Sequence, residues 1–470
     1  MQPNENICRP VRVLQFGEGN FLRAFVDSII DEGNRRGILN TDIAIVKPRD
    51  GHSLQTFHDQ KCRYTVAIRG LENGNPVQTE QLVTSVSCAI NPYRETEKYR
   101  ALYLSKDLRF IISNTTEAGI TFDPEDSFQF PVPKSYPGKL TKLLYERYTF
   151  YNGAPEAGLH IIPCELIEDN GAALKFCVLR YAQLWDLDKA FISWLEENCF
   201  FAGTLVDRIV SGFPKANAQT FFDKIGYEDQ LLVVAEPYHL WAIEADPRLR
   251  QELPLDKVTS GVVFTEDVRP YRQRKVRILN GSHTLLTPVA LLLEKDFVRR
   301  CMQDETLSAY LEKAVKEEII PYMDCLPQAD LLRFYNSVVD RFANPDLDHS
   351  LVSISLNSVS KYHARLMPSV FAYHSATGKV PKLLTFSFAA LLAYMRSGAP
   401  IQDSESIVAF FADAASLSAA ELVDAVFEKG MFPDELRKLT SFRQTAVQYL
   451  TDILTHGTRT VLTSLLEGQE

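Results

Sequence analysis

The sequence feature that most constrains the fold is a strand, a glycine turn and a helix close to the N-terminus. Residues 11–16, VRVLQF, form a short apolar and β-branched run, and the amphipathic run FLRAFVDSIIDEGNRRG follows the turn. Gly17 and Gly19 lie between the runs, where a backbone without side chains can approach a pyrophosphate at the helix N-terminus. Leu22 stands in place of the third glycine of the usual fingerprint, so a strand, turn and helix of purely structural purpose explains these residues about equally well.

Further apolar runs alternate with helical patterns along the first half of the chain. Continuous apolar strands are typical of a parallel sheet covered on both faces, and their alternation with helices is typical of a doubly wound α/β fold. The pattern around Asn73-Gly74-Asn75 predicts an inserted hairpin. Two late runs are expected to complete the same sheet, with some antiparallel additions. The strands are predicted at residues 11–16, 42–48, 108–113, 159–163, 231–234 and 261–264.

Beyond about residue 266, helical periodicity replaces the strand signals. A chain of 470 residues also exceeds what one hydrophobic core usually organises, so two domains are expected. The sequence therefore predicts an α/β, Rossmann-like, doubly wound domain over residues 1–266, followed by an all-α domain over residues 267–470.

Composition restricts the class of function. The formal net charge is −10, and no basic run is long enough for a nucleic-acid or membrane-surface footprint. The N-terminus has no apolar signal-peptide region, and the apolar run at residues 383–395 is too short to span a bilayer. The eight cysteines are scattered without a CxxC pair, which fits reduced thiols. We expect a cytoplasmic protein that acts on a small molecule.

A lysine, an asparagine and a histidine stand together in an otherwise apolar run, RKVRILNGSHTLLTPVALLLEK. In one α-helix over residues 274–294, at about 100° per residue, Lys275, Asn280 and His283 lie on one side. Burial disfavours the charged form of an amine and lowers its pKa, so such a lysine can serve as a base. The alternatives are a lysine that extends to solvent and polar side chains that are merely hydrogen-bonded near a core.

Two loops at predicted strand ends are candidates for cofactor binding. The loop Asn114-Thr-Thr116-Glu117 follows the strand at residues 108–113, which places it at the carboxyl edge of the sheet; a turn rich in cap residues is the alternative. After the strand at residues 42–48, an acidic residue would favour NAD and an arginine NADP. The chain has Lys47-Pro-Arg49-Asp50 there, so this position leaves the cofactor open.

Metal binding has little support. The best cluster is Asp346-Leu-Asp348-His349, and its position after Asn344-Pro345 favours a loop or a helix cap. There is no zinc-type cysteine pair, no Walker phosphate loop and no GxSxG elbow. We expect no metal in the site.

Five segments in chain order resemble the polyol-specific long-chain dehydrogenases, the mannitol dehydrogenase family. The resemblance extends from about residue 11 to about residue 460, and five motifs in register are far more specific than one glycine turn. The segments are LQFGEGNFLRAFVD (14–27), SNTTEAGI (113–120), TLVDRI (204–209), RKVRILNGSHTLLTPVA (274–290) and RFANP (341–345).

The resemblance implies a metal-independent, NAD-dependent enzyme, here one that interconverts the hexuronate D-tagaturonate and the aldonate D-altronate in galacturonate breakdown. It implies that Lys275 exchanges the hydroxyl proton, that Asn280 donates to the developing alkoxide, and that His283 holds the substrate. The residues implied to bind the cofactor are Phe16, Gly17, Gly19, Asn20, Phe21, Arg23, Asn114, Thr116 and Glu117.

The chain departs from the neutral-polyol members at two positions. Those members have CDNL, with a second amide donor, where this chain has Cys164-Glu-Leu166-Ile. Some also have a carboxylate three residues before the lysine, where this chain has Arg272, and a cation there suits a substrate that carries a carboxylate. Fructuronate or a neutral polyol remains the alternative substrate, and a non-catalytic dinucleotide-binding protein is the alternative outside the enzymes.

Three further residues are candidates for substrate binding. Lys361 and Arg365, in SVSKYHARLMP, could bind a carboxylate, and an ordinary exposed helix face is the alternative. Asp207, in TLVDRI, is the third candidate, and its alternative is a structural pair with Arg208. The sequence does not indicate the oligomeric state.

Overall fold

The computed structural model describes residues 9–51, 53–116 and 118–468. Within these ranges the chain forms two compact units. One comprises residues up to 69 together with 77–268, and the other comprises residues 70–76 together with 269 onwards. We call them the α/β unit and the helical unit.

Short strands build the α/β unit, and they begin and end close to the apolar runs of the sequence. Their bounds are β1 Val11–Phe16, β2 Asp42–Val46, β3 Tyr64–Glu72, β4 Asn75–Val83, β5 Val86–Ile90, β6 Phe110–Ser113, β7 His160–Pro163, β8 Phe200–Phe201, β9 Thr204–Asp207, β10 Val210–Gly212, β11 Val233–Ala235, β12 Leu240–Glu244 and β13 Val262–Thr265.

Six of these strands form a parallel sheet in the order β5-β2-β1-β6-β7-β8. Numbered along the chain within this sheet, the order is 3-2-1-4-5-6, which is the doubly wound order of dinucleotide-binding folds. Successive residues of β1 and β2 point to opposite faces: Val13 and Ile43 lie in one hydrophobic core, while Leu14 and Ala44 lie in the other. The predicted Rossmann-like fold is confirmed.

The two late strands do not complete this sheet, so that prediction is wrong. β11 joins a four-stranded sheet of order β10-β11-β3-β4, and β13 joins a three-stranded sheet of order β13-β12-β9. β12 pairs antiparallel with β9 and parallel with β13. An apolar run shows that a strand is buried, but it does not specify the strand with which it pairs.

Helices lie between the strands of the α/β unit. The first helix, residues 20–35, has three consecutive segments: Asn20–Leu22, the π-helical Arg23–Asp27 and Ser28–Arg35. The other helices of the described part are Gln55–Asp59, Thr96–Tyr103, Tyr136–Phe150, Asn170–Leu184, Lys189–Asn198, Ala218–Ile225 and Pro247–Glu252, with 3₁₀ turns at Pro155–Ala157 and Leu255–Lys257.

The predicted hairpin is formed by β3 and β4. Asn73 and Gly74 both have positive φ, at 52° and 75°, as a two-residue type I′ turn requires. Their amide groups donate to the two carboxylate oxygens of Asp340, at 2.7 and 3.0 Å. The turn of the hairpin is thus held by a residue of the helical unit, to which Gly70–Pro76 belongs.

The helical unit contains only helices after residue 268 in the described chain, apart from an isolated bridge between Phe297 and Ser350. Its longer helices are Gly281–Leu292, Glu305–Lys313, Gln328–Phe342, Met367–Thr377, Lys382–Met395, Glu405–Asp413, Ala419–Glu428, Thr440–His456 and Thr458–Glu467. The shorter ones are Arg269–Arg274, Val298–Met302, Leu351–Ile354, Ser358–Arg365 and Asp434–Lys438, with π-helical segments Lys275–Asn280 and Ala314–Ile319 and 3₁₀ turns Ile320–Tyr322 and Ala414–Ser416.

The central helix of this unit is Lys382–Met395. Every residue from Leu383 to Met395 is buried, as in a helix surrounded by other helices. It contacts the helices Thr440–His456 and Gly281–Leu292. The apolar run noted in the sequence is therefore a core helix, and no helix in the described part of the chain is long and apolar enough to cross a membrane.

Candidate functional site

The glycine turn after β1 has the backbone geometry that a dinucleotide site needs. Gly17 has φ of +132°, and a Cβ there would lie 3.0 Å from the carbonyl oxygen of Asn114 and 3.1 Å from a methyl carbon of Leu22. A side chain at this position would therefore be strained and crowded. At Gly19 a Cβ would meet nothing within 4 Å, and no side chain caps the helix that begins at Asn20. The first amides of a helix lack partners within the helix, and here no side-chain cap supplies one.

The loop after β6 lies beside this turn. β1 and β6 are adjacent and parallel, and the strand order reverses between them, which is where open α/β sheets bind ligands. Asn114 donates its side-chain amide to the carbonyl of Cys164 at 2.7 Å. Thr116 is exposed and has φ of +87°. The structure thus brings Gly17, Asn114 and Thr116 to one edge of the sheet, while Glu117 lies outside the described residues.

Glu165 holds this loop, although the sequence did not single it out as a site residue. Its carboxylate is buried and accepts hydrogen bonds from the Thr115 amide and hydroxyl at 2.9 Å, and from the Ser113 hydroxyl at 3.0 Å. Burial raises the pKa of the carboxyl, and the hydrogen bonds from Thr115 and Ser113 oppose that shift. Only the position of Glu165 in the segment where this chain departs from CDNL pointed to it.

The remaining side chains predicted for the cofactor have other contacts. Phe16 is fully buried and packs on Tyr136, with ring centroids 5.0 Å apart, so only its backbone reaches the turn. Arg23 is also buried; its guanidinium donates to the Leu231 carbonyl and, at 2.6 Å, to Asn20 Oδ1. Phe21 stacks on Phe25 at 4.9 Å. These three side chains therefore pack inside the α/β unit, next to the N-terminus of the helix that begins at Asn20.

The end of β2 carries the residues that were expected to distinguish the ribose of NAD from the phosphorylated ribose of NADP. Lys47 is buried, with its amine 4.0 Å from the Glu18 carboxylate. Arg49 and Asp50 are exposed, and one Asp50 carboxylate oxygen accepts from Asn91 at 2.9 Å and lies 3.6 Å from Arg94. The choice between NAD and NADP remains open at this position.

In the helical unit, the helix that carries Lys275, Asn280 and His283 is not a single α-helix. It runs over residues 269–292, and Lys275–Asn280 are π-helical, with the Gly281 amide bonded to the Val276 carbonyl five residues earlier. The expected α-helix over residues 274–294 is therefore corrected. Since i→i+5 bonding brings residues five apart nearly above one another, Asn280 lies closer to the Lys275 side than about 100° per residue would place it.

His283 has an aromatic and basic environment. Its ring lies 4.2 Å from that of Phe342 and 4.8 Å from that of His349, measured between centroids. Its Nδ1 is buried and has no hydrogen-bond partner in the described part of the chain. The pKa of His283 is held well below its ordinary value, first by burial and then by four basic groups. These are His349, Arg341, Arg365 and Lys361.

Two of the substrate candidates belong to this environment. Lys361 donates to the Ile354 carbonyl at 2.9 Å, and Arg365 donates to the Thr284 hydroxyl at 3.2 Å. Both side chains are partly buried, which lowers the pKa of each. They are therefore not an ordinary exposed helix face. Both cations are among the charged groups that lower the pKa of His283, and Arg365 is bonded to the residue that follows it.

The other substrate candidates lie elsewhere. Arg272 is partly buried and belongs to the same helix as Lys275, three residues before it. Asp207 is the last residue of β9 in the α/β unit and is buried. Its neighbour Arg208 donates to the carbonyls of Glu236 and Ala24. Leu166, at the position of the second amide donor in the neutral-polyol members, is 58% exposed.

The cluster Asp346-Leu-Asp348-His349 is a loop, as the sequence favoured. The amide of Asp346 donates to the Asn344 side chain at 2.9 Å, and Asp348 is exposed and bonded to Arg299. His349 points the other way, toward His283. Among residues 9–51, 53–116 and 118–468, no three histidines, cysteines or carboxylates are placed to hold a metal ion.

A large groove lies away from these residues. It has a volume of about 1600 Å³ and borders β5, the edge strand of the parallel sheet. Cys62, Cys88 and His58 are among its lining residues, and none of the residues predicted for the site lines it. The seven cysteines of the described ranges are free.

Comparison with known families identifies the fold. The mannitol dehydrogenase Rossmann domain matches residues 11–257, and the mannitol dehydrogenase C-terminal domain matches residues 267–454. The first match alone covers more than half of the chain. The chain belongs to the mannitol dehydrogenase family.

Relatives in this family align with most of the chain. Altronate oxidoreductase of Yersinia pestis bv. Antiqua is 40% identical over 463 residues, which are 96% of each chain. Altronate oxidoreductase of Yersinia enterocolitica is 45% identical over 388 residues, 82% of this chain and 80% of the relative. That of Shigella flexneri is 44% identical over 400 residues, 84% and 83% of the two chains.

Two solved structures of the mannitol dehydrogenase fold are similar to this chain. A substrate-free D-sorbitol dehydrogenase has a TM-score of 0.81 at 20% identity and covers 96% of this chain and 95% of its own. Mannitol 2-dehydrogenase of Pseudomonas fluorescens, in a ternary complex with NAD and D-mannitol, has a TM-score of 0.67 at 22% identity and covers 98% and 95%. At these identities the likeness concerns the fold.

Proposed function

We propose that this member of the mannitol dehydrogenase family is an NAD-dependent altronate oxidoreductase, which interconverts D-tagaturonate and D-altronate. The observation that carries the proposal is the 40% identity to an altronate oxidoreductase across 96% of both chains. The substrate is a small sugar acid, and a cytoplasmic location is part of the proposal.

The residues of the α/β unit fit a dinucleotide. Gly17 leaves room for a backbone approach, and the uncapped amides at Asn20 suit a pyrophosphate. Asn114 and Thr116 adjoin them at the point where the strand order reverses, and we assign both to cofactor binding. Bound NAD would supply the hydride acceptor in oxidation, and NADH the donor in reduction.

Lys275 is assigned as the general base of oxidation and the general acid of reduction. In oxidation its amine takes the proton of the reacting hydroxyl; in reduction it returns this proton to the alkoxide oxygen. Its position at the start of the π-helical segment supports this role, because such segments are rare and occur often at functional sites.

Asn280 and His283 are assigned to the substrate oxygens. Asn280 ends the π-helical segment and is partly exposed, so its side-chain amide can donate to the oxygen on which charge develops. His283 is neutral near pH 7, because burial and its basic neighbours lower its pKa. A neutral imidazole can hold a substrate hydroxyl in register without taking its proton.

The carboxylate of the substrate is assigned to Lys361 and Arg365. Both side chains converge near His283, and the charged groups that most affect this histidine are all basic. A carboxylate bound there gains charge-assisted hydrogen bonds that a neutral polyol cannot make. Arg272, one turn before Lys275, is a further candidate, and Asp207 stays a candidate on its motif TLVDRI alone.

The test compares three substrates, and the absorbance of the nicotinamide reports the reaction. NADH or NADPH is mixed with the purified protein and with D-tagaturonate, D-fructuronate or fructose. We expect NADH to be oxidised fastest with tagaturonate. Preference for fructuronate would move the protein to a different hexuronate, and preference for fructose would contradict the assignment of a sugar acid.

A further inference from the structure

His349 is the one residue of the sequence cluster DLDH that faces the proposed site. Its ring meets that of His283 edge to face, at a centroid distance of 4.8 Å and an interplanar angle of 73°. The two carboxylates of the cluster are directed elsewhere, since Asp346 is exposed and Asp348 is bonded to Arg299. His349 therefore adds a basic group near His283 without adding an acidic one.

The backbone fixes His349 in this position. Its carbonyl accepts from the Val298 amide at 3.0 Å, and the amide of Leu351 donates to the Asp296 carbonyl at 2.9 Å. Phe297 and Ser350 form an antiparallel bridge between these bonds. Residues 296–298, which bond to the segment of His349, lie only a few residues after the helix Gly281–Leu292, which carries His283. A short connection therefore positions the two rings relative to each other.

Around His283, side chains from two other parts of the helical unit converge. His349 comes from the loop before Leu351–Ile354, and Lys361 and Arg365 come from the helix Ser358–Arg365. Lys361 and Arg365 are partly buried, so their charges are screened less than on an open surface. Burial and then Arg341 lower the pKa of His349, so its neutral imidazole offers an N–H donor. Two partly buried cations beside a neutral imidazole form a site for an anion, because burial disfavours the charged form of each cation until negative charge is present.

We propose that His349 is a substrate-binding residue, whose imidazole N–H donates to the substrate carboxylate beside Lys361 and Arg365. The proposal rests on the proposed function. Tagaturonate carries its carboxylate at the far end of the carbon chain from the ketone. Lys361, Arg365 and His349 are therefore proposed to bind the end of the substrate that is remote from Lys275.

The test uses His349→Leu, which removes the N–H donor, and His349→Gln, whose side-chain amide keeps a donor. His363→Leu is the matched control, because His363 is exposed on the neighbouring helix. For His349→Leu we expect KM for tagaturonate to rise about tenfold with kcat nearly unchanged, as for the loss of a hydrogen bond to a charged group. His349→Gln should recover part of the loss, and His363→Leu should behave as the parent protein.

Inhibition by a matched acid and alcohol gives a second readout. The inhibition constants of gluconate and sorbitol are compared in each variant, and His349→Leu should weaken gluconate while leaving sorbitol unchanged. An equal effect on both, or a fall in kcat instead of a rise in KM, would show that His349 acts only by positioning His283. If His349→Leu does not fold, the ratio of the gluconate and sorbitol inhibition constants in His349→Gln decides whether His349 binds the carboxylate. Failure of the parent protein to reduce tagaturonate would instead contradict the proposed function.

Discussion

Glu165 accepts hydrogen bonds from both the amide and the hydroxyl of Thr115, each at 2.9 Å. The two residues follow neighbouring parallel strands, β7 and β6, so one buried carboxylate joins two loops at the edge where the cofactor is proposed to bind. The position of Asn114 and Thr116 therefore depends on a side chain that is not among the residues assigned to the cofactor.

Glu165→Ala is expected to weaken binding of NADH. The substitution leaves the buried donors of Thr115 and Ser113 without an acceptor, which costs about 1–3 kcal/mol for each group that stays unsatisfied. The loop should shift, the free energy of unfolding should fall, and the Kd for NADH, measured by fluorescence titration, should rise. Glu125→Ala, at an exposed position, is the control. An unchanged Kd in a folded Glu165→Ala protein would remove the link between this carboxylate and the cofactor site.

His160 should reduce the stability of the protein in acid. It is buried between Phe110 and Phe200, neither ring nitrogen has a partner in the described part of the chain, and burial lowers its pKa to about 4. The depressed value means that its contribution is present above about pH 6.5 and is lost as the pH falls toward 4. His160→Phe should remove about 2 kcal/mol of the stability difference between pH 8 and pH 5. Urea unfolding at the two pH values measures this, and parallel curves for both proteins would contradict it.

Asp27 should have the opposite pH dependence. It is fully buried, Tyr64 donates to it at 2.5 Å, and burial raises its pKa to about 7. Its contribution to stability is therefore fully present below its ordinary pKa of 3.8 and is lost as the pH rises from there through about 7. Asp27→Asn should gain stability relative to the parent protein between pH 6 and pH 8, as measured by thermal unfolding. If the stability of the parent protein instead increased relative to that of the variant over this interval, the folded state would stabilise the ionised carboxylate, which would contradict the prediction.

The sequence predicted the sheet and the hairpin well, because both depend on local patterns. Continuous apolar runs placed β1, β2, β6 and β7, and Asn73-Gly74 placed the turn. Pairing of the late strands depends on which partners the chain brings near, so β11 and β13 were assigned to the wrong sheet.

The site was harder to predict from the sequence than the sheet was. The π-helical segment Lys275–Asn280 shifts the helical register by a hydrogen-bond choice that side-chain periodicity does not reveal. Glu165 and His349 act across elements far apart in the chain, through contacts that exist only once the units have folded. Motif resemblance supplied the roles of Lys275, Asn280 and His283, and these roles remain proposals.

The role of Lys275 as the base is tested by comparing NADH oxidation by D-tagaturonate in the parent protein and in Lys275→Ala, with the Kd for NADH determined for both. Lys379→Ala, at an exposed position, is the control. We expect the parent protein and Lys379→Ala to oxidise NADH at similar rates, while kcat of Lys275→Ala falls by about a hundredfold or more with the Kd unchanged. Turnover by Lys275→Ala at close to the parent rate would contradict this role.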